Sequence, residues 1–82
     1  MDRHLILAHL EMAVRHAAQG REHVARQRTL VSRLQRDGHE TAAAAAAVLL
    51  EQFEVSQRLH EQEIEQMRAV LAAHDASNPT EQ

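Results

Sequence analysis

The chain has 82 residues, 44% of them hydrophobic, with Phe53 as its one aromatic, two glycines, one proline, no cysteine and a formal charge of −3. Such a length allows one small domain. The scarcity of aromatic and turn residues argues against sheets, and the absence of thiols excludes disulfide scaffolds, thiolate metal sites and cysteine chemistry.

Asp2 is placed to cap a first helix, its side chain accepting from one of the orphan amides. The pattern then runs unbroken over about 3–36, with Gly20 the one weak point at a cost of about 1 kcal/mol relative to Ala. Arg33 and Arg36 fall in the last turn, where cations suit the negative end of the helix dipole. Asp37-Gly38-His39-Glu40 reads as the turn, with Gly38 suited to the left-handed position after a helix C-terminus. Thr41 is the expected N-cap of a second helix over about 41–74, opened by the strong helix formers Ala42 to Ala47. The domain is therefore expected to cover 1–75, leaving 76–82, with Ser77-Asn78-Pro79-Thr80, as a flexible tail. Glu11–Arg15, Glu22–Arg26 and Glu54–Arg58 are oriented to support the helices as i,i+4 pairs.

A heptad pattern sharpens this into an all-α, antiparallel, coiled-coil-like two-helix hairpin. Helix 1 places Arg3, Leu10, Ala17, Val24 and Val31 at a, and Ile6, Ala13, Gly20, Gln27 and Leu34 at d. Helix 2 offers a stripe through Ala43, Ala46, Leu50, Phe53, Gln57, His60, Ile64, Met67, Leu71 and His74. A turn near residue 38 forces antiparallel pairing. The expected layers run from Leu34–Ala43 and Val31–Ala46 through Val24–Phe53, Gly20–Gln57 and Ala17–His60 to Ala13–Ile64 and Ile6–Leu71, and in several of them a large residue faces a small one. Residues 1–38 carry net +3 and residues 39–82 net −6, which makes the two halves electrostatic partners.

Apolar residues spill beyond this seam: Leu5, Leu7, Met12, Val14 and Leu30 on helix 1, and Val48, Leu49, Val55, Leu59 and Val70 on helix 2. A stripe wider than one partner needs implies a second partner. The expectation is a homodimer forming a four-helix bundle, with an unidentified protein supplying the missing helices as the rival. Leu10, Val24, Val31, Leu50, Phe53, Ile64, Met67 and Leu71 are the expected core and interface residues.

Seven histidines are the compositional oddity. His9, His16 and His23 recur every seven residues, so neighbours lie about 10.5 Å apart along the axis and cannot share one ion. The one metal reading the sequence allows joins His16, His60 and Glu63, since the layer rule sets His16 opposite His60 and Glu63 lies one turn on. The Glu-x-x-His pairs of carboxylate-bridged bundles are absent. The flanking histidines read first as snorkelling surface residues. Ala17, Gly20, Gln57 and His60 read first as a polar layer that fixes register and second as a pH-responsive element.

No Gly-rich phosphate loop, nucleophile elbow or triad context is present, so no enzyme, catalytic residue or cofactor is expected. The Arg patch Arg21, Arg26, Arg28, Arg33, Arg36 lacks interleaved aromatics for base stacking and reads as a face paired with Glu40, Glu51 and Glu54, against nucleic-acid binding. No stretch approaches a membrane span. Leu5-Ile6-Leu7-Ala8 is too short for a secretory h-region and is followed by His9, so a cytoplasmic interaction or regulatory module is expected.

The segments His23-Val24-Ala25-Arg26-Gln27-Arg28, Leu34-Gln35-Arg36-Asp37-Gly38-His39-Glu40-Thr41 and Leu49-Leu50-Glu51-Gln52-Phe53, with His60 after them, resemble short uncharacterised helical-hairpin proteins of alphaproteobacteria. The resemblance covers residues 20–60. It implies a helix, an Asp-Gly-His turn and a helix, and carries no activity with it.

Overall fold

Asp2 caps the first helix with its side chain, Oδ1 accepting from the His4 N–H at 3.1 Å, while its carbonyl accepts the first helical bond from Ile6. The helix so begun, α1, spans Arg3–Arg36, and a second, α2, spans Glu40–Ser77. These coordinates are a computed structural model in which residues 2–77 are described. Among those residues the fold is all-helical, two helices packed against each other.

The corner is made by three residues. Gly38 takes φ +76°, the left-handed conformation that costs glycine least. The Gly38 N–H then donates to Gln35 O at 3.2 Å and the His39 N–H to Leu34 O at 3.0 Å. Both bonds of a Schellman motif are therefore closed, and orphan carbonyls of α1 are satisfied. His39 also opens α2, because its carbonyl accepts from the Ala43 N–H at 2.8 Å.

This corrects the expectation that Thr41 is the N-cap. Once His39 has closed one helix its own carbonyl is already in position to start the next, and Glu40 enters the first turn, where a carboxylate favours the positive dipole end. The turn is thus shorter than 37–40. At the other end α2 outruns the expected limit of 74 and includes Ala76 and Ser77, whose hydroxyl donates back to Ala73 O. The remainder of the expected tail, 78–82, lies outside the described residues.

The hairpin is a rod with Cα extents of 63 × 14 × 13 Å. Its buried line follows the heptad stripes: Ile6, Ala13, Ala17, Val24, Gln27 and Val31 from α1 meet Ala43, Ala46 and Ile64 from α2. Leu10, Leu50, Phe53, Met67 and Leu71 are half-buried along the same line. Small residues let the helices approach, as where Ala13 and Ala17 receive Ile64. Ile6 is the largest side chain that is fully covered, which contributes about 2 kcal/mol.

Two glutamines cross the seam in opposite directions. Gln27 of α1 donates from Nε2 to Ala46 O of α2 at 2.9 Å, and Gln57 of α2 donates from Nε2 to Ala17 O of α1 at 2.8 Å. Each bond ties a side chain of one helix to the backbone of the other, so a slip in register breaks both.

One flank of the seam is ionic. Arg21 reaches Glu61 and Arg28 reaches Glu54, each at 2.9 Å, and Arg3 joins Asp75 where the chain's two ends meet. These pairs replace the expected Glu11–Arg15, Glu22–Arg26 and Glu54–Arg58 pairs, none of which closes among the described residues. Helical side chains lean toward their own N-terminus. In antiparallel helices Arg21 and Glu61 therefore lean toward each other, and a cross-seam pair is reached more readily than one along the same helix.

Candidate functional site

The polar mid-seam layer is where the structure departs from simple apolar packing. Gln57 Nε2 is bonded to Ala17 O and, at 3.1 Å, to Glu61 Oε1, the same oxygen that accepts from Arg21. A chain of bonds therefore runs from the surface guanidinium of Arg21 through Glu61 and Gln57 to the α1 backbone. It ends in an anomaly: Gln57 Oε1 is buried and has no hydrogen-bond partner. Leaving such an acceptor unmade costs about 1–3 kcal/mol.

Gly20 explains how that oxygen fits. A Cβ built on Gly20 would overlap Gln57 Oε1 and would lie 3.5 Å from Cδ2 of His60. The residue that reads in sequence as a weak point is thus the seat into which the Gln57 amide is pressed. Turning the amide over would set Oε1 against the Ala17 carbonyl, oxygen against oxygen, so the Nε2-to-carbonyl bond fixes the orientation.

His60 is half-buried beside this seat, and its ring centroid lies 6.0 Å from that of His16, with the planes tilted by 54°. The layer rule therefore places this pair correctly. His23 makes an equivalent approach to Phe53, also at 6.0 Å, and its Nδ1 lies 3.3 Å from Nη2 of Arg26. His9, His16 and His23 are all exposed along one stripe of α1.

The expected metal triad of His16, His60 and Glu63 is not assembled. Among the described residues no group of three or more His, Asp or Glu is arranged to hold an ion. Glu63 is exposed. The two imidazoles alone fall short of the four ligands of a structural zinc site.

Arg28 and Glu54 of the Arg patch pair as expected, but Arg21 takes Glu61 in place of Glu40, Glu51 or Glu54. A surface groove of about 420 Å³ lies on this ionic flank among Val24, Arg28, Glu54, Gln57, Arg58 and Glu61. It is an open furrow along the seam. Arg3 and Asp75 form a clasp between the start of α1 and the end of α2. The hydrogen bond from Arg3 holds the Asp75 carboxyl below the usual carboxylate range, and the same bond raises Arg3.

Beyond the seam the surface carries several large apolar side chains. Leu5, Leu49, Val55 and Leu59 are more than two-fifths exposed, and Val48 and Leu59 reach 57% and 59%. Sequence reasoning found these residues through their excess over one seam. It missed the Gln57–Gly20 seat, for which the one available signal was a glycine facing a glutamine in the predicted layers. Among the described residues no helix is long and apolar enough to cross a membrane. Comparison with known proteins returns no matching family model, no similar curated protein and no similar solved structure.

Proposed function

We propose that this chain is a small non-enzymatic interaction or regulatory module whose working form is a homodimer, two hairpins joined as a four-helix bundle in the cytoplasm. The observation that carries the reading is the set of large apolar side chains left outside the seam, Val48, Val55 and Leu59 above all. A single hairpin has no second layer with which to cover them, and two-layer packing is what stabilises small helical domains. The polar mid-seam layer serves register in this reading: Gln27 and Gln57 fix how the helices pass, and so fix the surface offered to the partner.

Native mass spectrometry at neutral pH and micromolar concentration tests it. The expected species has twice the 9.3 kDa chain mass. A folded monomer that stays monomeric as concentration rises overturns the reading, and a hairpin that associates only with another protein replaces it with the hetero-partner form.

The approach of His16 to His60 favours a second reading, a pH-responsive bundle. Protonating both imidazoles sets two positive charges 6.0 Å apart at the seam, with Arg15 before His16 on α1 and Glu61 and Glu63 after His60 on α2. Imidazoles change charge in the range where cells vary pH. Association that is unchanged between pH 8 and pH 5.5, or that responds identically in His60→Gln, rules this reading out.

A further inference from the structure

We infer that the second copy docks on the outward side of α2, with the two α2 helices parallel and in register. The inference rests on the homodimer of that reading and adds which surface meets and in which direction; with that side so far round α2 from the seam, the four helices lie side by side, α2 against α2, in place of a closed bundle. Starting at Ala45 and moving in alternate steps of three and four residues to Ala73, every position of α2 carries Ala, Val, Gln or Leu. The stripe is about 42 Å long and lies roughly 160° round the helix from the seam with α1. It has the spacing of a coiled-coil seam, has no charge along its length, and holds Val48, Val55 and Leu59, among the most exposed apolar side chains of the molecule.

The shape leaves room for a partner of this size. The hairpin is a rod of 63 × 14 × 13 Å, and a stripe of about 42 Å runs along most of one side, a length that suits an interface of the order of the ~800 Å² that each partner contributes to a standard one.

Direction follows from the charges beside the stripe. One edge carries Glu51, Arg58 and Glu65, and the other Ser56, Glu63 and Val70. Among the described residues Arg58 and Glu63 make no ion pair within the hairpin, in contrast to Arg21, Arg28, Glu54 and Glu61. In a parallel pair, opposite edges meet with an offset of five residues, which brings Arg58 of each copy to Glu63 of the other. In an antiparallel pair, like edges meet: the register that pairs Gln52 with Gln62 sets Glu51 against Glu65, and the one that gives Arg58 to Glu65 sets Gln62 against Leu59 and Gln66 against Val55. The parallel arrangement gains two ion pairs with neither conflict. It also sets Gln52, Gln62 and Gln66 against their own copies, where paired amides satisfy one another across the interface as polar seam residues do.

The absence of native cysteine allows a direct test. Gln52→Cys, Gln62→Cys and Gln66→Cys are prepared singly, with Gln19→Cys on the outward side of α1 as the contrast, and each is mildly oxidised at a concentration where the parent chain is a dimer by native mass spectrometry. In a parallel pair each α2 position lies within disulfide reach of itself. All three variants are then expected to double from 9.3 kDa on a non-reducing gel, while Gln19→Cys stays single. A parent dimer in which none of the three links, or only one near the middle of α2, overturns the parallel α2 interface and leaves the dimer reading standing. A parent chain that is monomeric overturns both.

Discussion

The two flanks of the hairpin seam are made of different chemistry. On one, Arg21 and Arg28 meet Glu61 and Glu54 in exposed ion pairs. On the other, the heptad sets His9, His16, His23 and Leu30 of α1 beside Leu49, Glu63 and Val70 of α2, and the surface continues round α2 into the uncharged stripe. Exposed ion pairs contribute little to stability, about 0.2–1 kcal/mol each, but they keep a surface hydrated. The ionic flank therefore reads as the side finished in one chain, and the apolar side as the one that needs another.

Substitutions that treat the flanks unequally test this contrast. The largest effect is expected from Leu59→Glu, which places a carboxylate in the uncharged stripe of both copies at once. Dimer dissociation should rise about a hundredfold or more, as for a buried interface anchor lost twice by symmetry, with helicity retained. Glu61→Gln on the ionic flank should move dissociation by less than about threefold. Sedimentation of the two variants compares them, and equal effects would dissolve the distinction.

Between these extremes lies the seat at Gly20. Gly20→Ala improves helix propensity by about 1 kcal/mol but dislodges the Gln57 amide, so thermal stability should change little. In a Gln57→Ala background the same substitution should stabilise by about 1 kcal/mol, since the obstruction is gone. The double-mutant cycle should then show a coupling energy of about 1 kcal/mol, and additive effects would mean that the amide does not depend on the glycine.

The smallest effect concerns the end clasp, at the far end of the ionic flank. The Asp75 carboxyl is depressed by its hydrogen bond from Arg3. Its contribution is present above the unfolded carboxylate value of about 4 and fades as pH falls through the lower folded value. Acid titration should therefore fray the helix ends before the middle, and Asp75→Asn should remove that early phase, as read by amide exchange near residues 3 and 75.

Much of this architecture is legible in the residues. Apolar spacing places both stripes, Gly38 marks the corner, and the layer rule sets Gly20 near Gln57 and His16 near His60 before any coordinate is known. These are consequences of periodicity, which survives without atomic detail. What stays hidden depends on where atoms reach. Thr41 looks like the better cap by residue type, but the His39 carbonyl is nearer. Glu54 looks paired with Arg58 along its own helix until the lean of side chains in antiparallel helices delivers Arg28.

The corner at His39 has a reach far beyond its own size. One residue gives its N–H to the helix that ends and its carbonyl to the helix that begins, so no slack separates the two. The joint works like the tooth of a gear. Adding a single residue there would rotate all of α2 by about 100°, carrying Gln57 off its seat and aiming the outward stripe at empty solvent. The same three-residue turn that clocks the helices inside one chain thereby decides which surface the chain presents to another.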